Sequence, residues 1–334
     1  MDKVIAVVVT YNRQQLLSEC VEAIRKQTRK VDKILIVNNG STDSTMAWVS
    51  SQPDLELLTL PALGPGGGFN AGIKWGYDNG FSWIWLMDDD GYPAENALFH
   101  LLEDDSEELM LRNCAVLNKN DKKTFVWKTK NFKTIDDVNV EVIDKVAHPF
   151  NGTMLHRKIV ERVGLPQTKL FSWGVETEYY FRITNLNAIP FRTYAKSIHY
   201  HPPCPYNFKS DFSYSSTWKM YFYVRNRFAI MKSQFSNNMA LAYTMYILFL
   251  SMYAARVVLF QKTNKWQKLS FIIWPAKDAF LNRFDATPNL ILERLQRKPS
   301  NVFGTIAEYF AAVPQILAGP NAHGLQEFDK AKAS

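Results

Sequence analysis

The sequence predicts an α/β protein, a Rossmann-like and mostly parallel sheet flanked by helices, followed by a helical C-terminal region. Three observations carry this. Short β-branched or aromatic runs alternate with segments of helical periodicity through the first hundred residues. Nearly every run stops at a turn rich in Gly, Asn, Asp or Pro. Beyond about residue 205 the rhythm gives way to long apolar and aromatic segments. Strands alternating with helices imply a parallel sheet covered on both faces.

The elements follow in order. "VIAVVVTY" is a β-branched run that ends in the polar turn "YNR". Leu16, Leu17, Cys20, Val21 and Ile24 then recur at helical spacing. "DKILIVNNG" reads as a second strand, and "STDSTMAWV" opens a helix with Ser and Asp at favoured capping positions. "LELLTL" is a third strand, stopped by Pro61. A glycine-rich turn, "LGPGGGFNAG", is expected to lead into a helix near "NAGIKWGYD". "SWIWLM" is a fourth strand, and "PAENALFHLL" is expected to be a helix with Pro early in it. In such sheets ligands bind beyond the C-terminal strand ends. The turns "TYNR", "NNGSTD", "GPGGG" and "DDDG" all fall there and should line one crevice.

Composition narrows the class. At 334 residues, 47% of them hydrophobic, the chain supports a large core plus an appendage and is not disordered. A formal charge of +7 favours anionic partners, a sign shared by nucleic acid, anionic lipid and phosphorylated small molecules. Cys20, Cys114 and Cys204 are odd in number and far apart, so they form no CxxC pair and suit a reducing compartment. The N-terminal apolar run is short, follows Asp2 and enters a polar turn, so it does not read as a signal peptide.

Residues 83–93, "WIWLMDDDGYP", place three carboxylates behind a strand. In extended backbone, Asp88 and Asp90 point the same way and can converge on one cation. Hard oxygen ligands suit Mg²⁺ or Mn²⁺, ions that bind substrate phosphates. The glycines Gly66, Gly67 and Gly68 expose backbone N–H donors suited to a diphosphate. Gly66, Gly68 and Ala71 also match a loose GxGxxA, but they follow the third strand, and Pro65 distorts the entry to a dinucleotide turn. No GxxxxGK[ST] exists, which excludes a P-loop.

"VVVTYNR", "IVNNGSTD", "LGPGGGFNAG" and "LMDDDGYP", in that order and spacing, resemble a family 2 glycosyltransferase of the GT-A fold. The "GGF…G" turn before the acidic triplet resembles the bacterial galactofuranosyltransferase and rhamnosyltransferase-like branch. "FNGTMLHRKIVERVGLP", "FSWGVETEYYFR" and "WKMYFYVRNRF" extend the likeness. The resemblance implies that Thr10, Tyr11, Asn12 and Arg13 flank the nucleotide, with Gly66, Gly67, Gly68, Asn70 and Trp173 also on the donor side. Asn39 stands where many members carry an Asp that contacts the base, which leaves base selectivity open. Asp88 and Asp90 match the metal-binding carboxylates, and Asp89 is implied near the sugar or ribose.

Glu176 aligns with the base of inverting members. An inverting transfer needs one carboxylate to take the acceptor hydroxyl's proton. Phe171, Trp173, Tyr179 and Tyr180 surround Glu176, and apolar surroundings raise a carboxylate's pKa. Glu178 is the second candidate, although with Arg182 it also reads as a surface helix pair. The family usually closes its metal site with a histidine, and "KSIHYHPP" offers His199 and His201 on one strand face. His201, beside the proline pair, is favoured.

From residue 233 to 255 no residue is charged, and Arg256, Lys262, Lys265 and Lys268 follow. The stretch is near the length of a membrane span, but it contains Asn237, Asn238, Thr244 and Ser251. It reads as a buried helix, as one lying at a membrane surface or, less favoured, as a true span. The division falls at 205/206: residues 1–205 form the catalytic domain, and 206–334 form a mainly helical region facing acceptor and membrane. Pro314 and "AGPNAHG" mark a loose tail.

The resulting expectation is a Mn²⁺- or Mg²⁺-dependent inverting glycosyltransferase, cytoplasmic and peripheral at the inner face of the cell membrane. The resemblance alone implies UDP-galactofuranose as the leading donor, with dTDP-rhamnose second. The acceptor is a growing, lipid-linked surface glycan; a homo-oligomer is allowed and no nucleic acid is expected. A nucleotidyltransferase and a non-catalytic glycan-binding module are the alternatives. The first would carry a basic glycine-rich loop after the first strand, where this chain has "TYNRQQLLSE". The second would release no nucleotide.

Overall fold

The computed structural model describes residues 2–103, 109–127, 129–143, 150–203 and 218–296. They pack as two units: residues up to 203 with Ile230–Ala242, and residues 218–229 with 243–296. In the first unit β1 (Val4–Thr10), α1 (Gln14–Arg25), β2 (Lys33–Asn38), α2 (Thr45–Ser50) and β3 (Leu55–Thr59) come first. Next are α3 (Gly64–Asp78), β4 (Trp83–Asp88), β5 (Tyr92–Pro93), α4 (Ala97–Leu102) and β6 (Leu111–Asn118). Then come β7 (Thr153–His156), α5 (Arg157–Val163), α6 (Val175–Phe181) and β8 (Phe191–His201). The helices α7 (Met220–Gln234), α8 (Met239–Phe260), α9 (Lys265–Phe280) and α10 (Pro288–Gln296) follow.

The strands form one sheet in the order β3-β2-β1-β4-β7-β6-β8-β5. The four strands read from sequence form its parallel half. The other half is mixed: β7 runs antiparallel to β4 and β6, β8 parallel to β6, and β5 antiparallel to β8. All seven β1 residues are buried because both of its faces are covered. Val4, Ala6 and Val8 pack with Leu17, Cys20, Val21 and Ile24 of α1. On the opposite face Val7 and Val9 meet α3, and a Cβ on Gly68 or Gly72 would come within 2.5 Å of Val9 Cγ1 or Val7 Cγ1.

Three local expectations are corrected. The glycine-rich segment is no turn: α3 begins at Gly64, with Pro65 in its first turn, where a missing N–H is harmless. The glycines let this helix lie against β1 with no side chain between them. Pro93 is not in a helix either; it sits on the edge strand β5, where proline is tolerated, and α4 starts at Ala97. The uncharged 233–255 stretch is not one helix, because α7 ends at Gln234 and α8 begins at Met239. Asn238 Oδ1 caps α8 by accepting from Leu241 N–H at 2.9 Å.

α8 is 22 residues long and contains an 18-residue window of mean hydropathy 1.5, long and apolar enough to cross a membrane by length and composition. Ala242, Tyr246, Phe249, Tyr253 and Val257 form its buried stripe, while Ile247, Leu248, Met252, Val258 and Leu259 are exposed. In the second unit Tyr246 donates its hydroxyl to Val224 O at 3.0 Å, and its ring stacks on Phe228 at 5.0 Å. The "AGPNAHG" tail, Pro314 and Cys204 lie outside the described residues.

Candidate functional site

The parallel half of the sheet delivers its turns to one end. β4 runs out into Asp88, Asp89 and Asp90 beside the end of β1, where Val9 is in register with Asp88. Asp89 is buried, and its oxygens are fully engaged inside the protein. Oδ2 accepts from Thr10 Oγ1 at 2.7 Å and from Tyr11 N–H at 3.4 Å, and Oδ1 accepts from Arg13 Nη1 at 3.1 Å. The residue expected near sugar or ribose therefore ties the β1 turn to the acidic turn. Arg13 Nη1 also reaches Asp90 Oδ2 at 2.8 Å.

Asp88 is left with the least compensation. Burial, then the charges of Asp90 and Asp89, push its carboxyl well above the usual range, and Glu176 adds to this while Arg13 opposes it. Glu176 thus lies within electrostatic reach of the acidic turn although the two segments are far apart in sequence.

Glu176 is in the first turn of α6, half-buried, and accepts from Gly174 N–H at 3.1 Å (Oε1) and 3.2 Å (Oε2). Burial raises its pKa, and hydrogen bonds from its own N–H and that of Gly174 partly offset this. The turn that carries it is unusual. Phe171 and Trp173 have φ of 62° and 42°, which a residue with a side chain holds only where surroundings impose it, and Gly174 follows at 107°, a value open to glycine. Part of that bracing is α3: Gly66 N–H donates to Phe171 O at 3.0 Å, and a Cβ on Gly64 would sit 2.6 Å from the same oxygen.

Glu178 points elsewhere. It is fully buried and accepts from Gln167 Nε2 (2.9 Å), Arg182 Nε (3.0 Å) and Ser233 Oγ (3.0 Å). Arg182 in turn donates to Val163 O and Leu165 O. The pair expected on a helix surface is an internal clamp.

The remaining donor-side residues divide. Tyr11 is 53% exposed. Asn12, at φ 53°, binds the facing loop: its Oδ1 accepts from Thr42 N–H at 2.6 Å and Asp43 N–H at 3.3 Å, and its N–H donates to Ser41 Oγ. Asn39 is buried, its Oδ1 accepting from Leu63 N–H at 3.0 Å and so fixing the start of α3. Asn70 donates to Pro166 O at 2.8 Å. Thr10 is buried on Asp89 and Trp173 is half-buried in the strained turn. Gly66, Gly67 and Gly68 are all buried within α3.

Both histidines stand on β8. His199 is fully buried with neither ring nitrogen hydrogen-bonded, and it packs so closely on the acidic turn that a Cβ on Gly91 would fall 2.3 Å from its Nε2. Burial, and secondarily His201, lowers its pKa to about 3. His201 is partly exposed, with Nδ1 2.8 Å from Pro202 O and Nε2 3.4 Å from Asp90 Oδ1. A carbonyl only accepts, so Nδ1 carries the proton, and in the neutral ring Nε2 turns a lone pair toward the carboxylate. Burial holds the imidazole pKa below its ordinary value, partly opposed by Asp90. Asp90 Oδ1 is itself buried without a hydrogen bond. Two acceptors facing one another across a short gap fit a cation between them. Among the described residues no three His, Cys, Asp or Glu side chains already form a cation cage. Arg13 instead holds two of the carboxylates. Sequence reasoning missed Trp127, whose ring lies 5.3 Å from that of His201; it sits in an irregular segment with no motif to mark it.

With this geometry in view, comparison with known proteins identifies the class. The profile of "Glycosyl transferase family 2" matches residues 5–164. The galactofuranosyltransferase GlfT1 of Mycolicibacterium smegmatis is 30% identical over 214 residues, covering 60% of this chain and 70% of that one. GlfT1 of Mycobacterium tuberculosis is 28% identical over 215 residues with the same coverage. The chain belongs to glycosyltransferase family 2 and is a glycosyltransferase related to galactofuranosyltransferases. Its fold is that of the GT-A glycosyltransferase TarS of S. aureus: residues 1–349 of TarS with UDP-GlcNAc give a TM-score of 0.53 at 14% identity, over 94% of this chain and 92% of that one. Against the longer TarS structure the TM-score is 0.54 at 14% identity, with 87% of this chain covered but only 53% of that one.

Proposed function

We propose that the protein moves a galactofuranosyl residue from UDP-galactofuranose to a hydroxyl of a growing, lipid-linked surface glycan, with inversion at the anomeric carbon. The observation that carries the reading is the placement of Glu176, a carboxylate with raised pKa, within electrostatic reach of the acidic turn at the ends of β1 and β4. Residues 1–205 carry the catalysis, and 206–334 face the acceptor and the membrane.

In this reading Tyr11 stacks on the base, and the Asn12 clamp holds the loops around the nucleotide. Asp88, Asp90 and His201 would hold Mn²⁺ or Mg²⁺, which when bound compensates the charge of the diphosphate. Arg13, set between Asp89 and Asp90, keeps the acidic turn in place. Glu176 removes the proton from the acceptor hydroxyl as that oxygen attacks the anomeric carbon and the bond to the diphosphate breaks. Its raised pKa makes the glutamate a stronger base than a solvated one, and the Gly174 N–H keeps its oxygens oriented. The exposed apolar side of α8, followed by exposed Lys262, Lys265 and Trp266, suits a membrane surface that presents a lipid-linked acceptor from the cytoplasmic side.

Incubation with UDP-galactofuranose, dTDP-rhamnose, UDP-galactopyranose and UDP-N-acetylglucosamine, with Mn²⁺ or EDTA, tests this by nucleotide release. Release fastest from UDP-galactofuranose and dependent on Mn²⁺ supports the reading. Preference for dTDP-rhamnose replaces the donor, and no release from any nucleotide sugar refutes it.

A further inference from the structure

A cavity of about 680 Å³ opens on the first unit, outside the transfer centre. One wall is a face of α1 that presents Ser18, Glu19, Glu22 and Lys26. The other is the β5–β8 ribbon, where Tyr92 is paired with Tyr200 and the two rings lie 5.4 Å apart. Lys122 Nζ stands 5.3 Å over the Tyr200 ring, and Glu95 closes one side. Only Gly91 separates Asp90 from Tyr92, so the groove starts beside the acidic turn.

Its chemistry selects among ligands. Arg25 holds Glu22 at 2.6 Å, so Glu19 and Glu95 stand against Lys26 and Lys122, and the groove offers no excess positive charge to a nucleotide or phosphate. It contains no large aliphatic side chain, so a lipid tail or the apolar anchor of a peptide finds no pocket. Tyrosine rings meet the C–H faces of sugars, and carboxylates accept from neighbouring hydroxyls. The volume is that of a small-ligand site, enough for a few hexose units.

We propose that this groove is an acceptor subsite that binds neutral hexose units of the growing glycan beside the transfer centre. The proposal rests on the glycan-acceptor reading above. It is tested on the full chain with a synthetic galactofuranosyl pentasaccharide, titrated with and without saturating UDP. Wild type should bind the pentasaccharide in both conditions. Replacing the two exposed carboxylates together, Glu19→Ala with Glu95→Ala, should weaken that binding about fivefold or more, the loss expected for one or two hydrogen bonds. The KM for the pentasaccharide should rise in step, while the KM for a single-sugar acceptor stays put. A double variant that binds like wild type, an equal KM rise for both acceptors, or no pentasaccharide binding by wild type overturns the subsite. Variant-sensitive pentasaccharide binding without turnover of UDP-galactofuranose would instead leave the subsite standing and remove the donor assignment.

Discussion

Glu176→Gln tests the proposed base against its structural neighbour Glu178. The Gly174 N–H bonds, at 3.1 and 3.2 Å, survive in part because glutamine keeps an acceptor oxygen. The stability change should therefore stay within about 1 kcal/mol. Turnover should fall by roughly 10²–10⁴, the usual yield of a general base, which is about 3–5 kcal/mol of activation free energy. Donor affinity should persist. The pH profile adds a sign. Because burial raises the Glu176 pKa, the active unprotonated form is lost as pH falls through a value above the usual carboxylate range. Wild-type kcat should show that acid limb and the variant should lack it. Glu178→Gln behaves differently. It neutralises a buried carboxylate and leaves Arg182 uncompensated, at a cost of about 3–5 kcal/mol. The assays are UDP release and sugar transfer across the acid range, with calorimetric donor titration and thermal melts of both variants. If Glu176→Gln keeps turnover within about threefold of wild type, or keeps the acid limb, the base assignment is wrong. So is it if Glu178→Gln abolishes turnover with an unshifted melt.

Three further outcomes follow from the same geometry. The Asp88 carboxyl has a raised pKa in the folded chain, so its charged form burdens the folded state. That burden is absent below the unfolded value of about 4 and grows as pH rises toward the folded value. Asp88→Asn should thus raise Tm at neutral pH in EDTA and abolish the Tm upshift given by Mn²⁺, which in wild type corresponds to a stabilisation of about 2.7 kcal/mol at a hundredfold excess over Kd. A lower Tm with the Mn²⁺ shift intact contradicts the site. Gly72→Ala drives a Cβ to 2.5 Å from Val7 Cγ1 and should cost about 1–3 kcal/mol in a denaturant melt; unchanged stability means that α3 and β1 are not so closely packed. Flotation should show binding to anionic vesicles that weakens with salt and is stripped by alkaline carbonate, since each basic residue contributes about 1 kcal/mol at low ionic strength. Resistance to both treatments means that α8 crosses the bilayer, and no binding to any vesicle means that it does not meet lipid.

The sequence alone determined the parallel half of the sheet and the end at which its polar turns gather. β1, β2 and β4 are buried on both faces, so they had to be continuous apolar runs, and the polar residues that stop them had to emerge together at their C-terminal ends. Acidic residues and a carboxylate base could be nominated from such local pattern. Their division of labour could not. Asp89 is spent inside because Thr10 and Arg13, from another strand end, reach it. Glu176 and Glu178 are two residues apart, and a helix turns them about 200° from one another. One faces outward near the acidic turn, and the other meets Gln167, Arg182 and Ser233. His199 and His201 alternate onto one strand face, yet close packing on Gly91 fills the space around His199, while His201 stays beside Asp90. The glycines of "GPGGG" were misread as a turn because their requirement is set by Val9 and by the Phe171 carbonyl, which no local pattern of the chain encodes. Periodicity reports what a residue's neighbours in the chain need. Which of two like residues is held inside and which is left accessible depends on groups brought together by folding, and only the tertiary structure decides that.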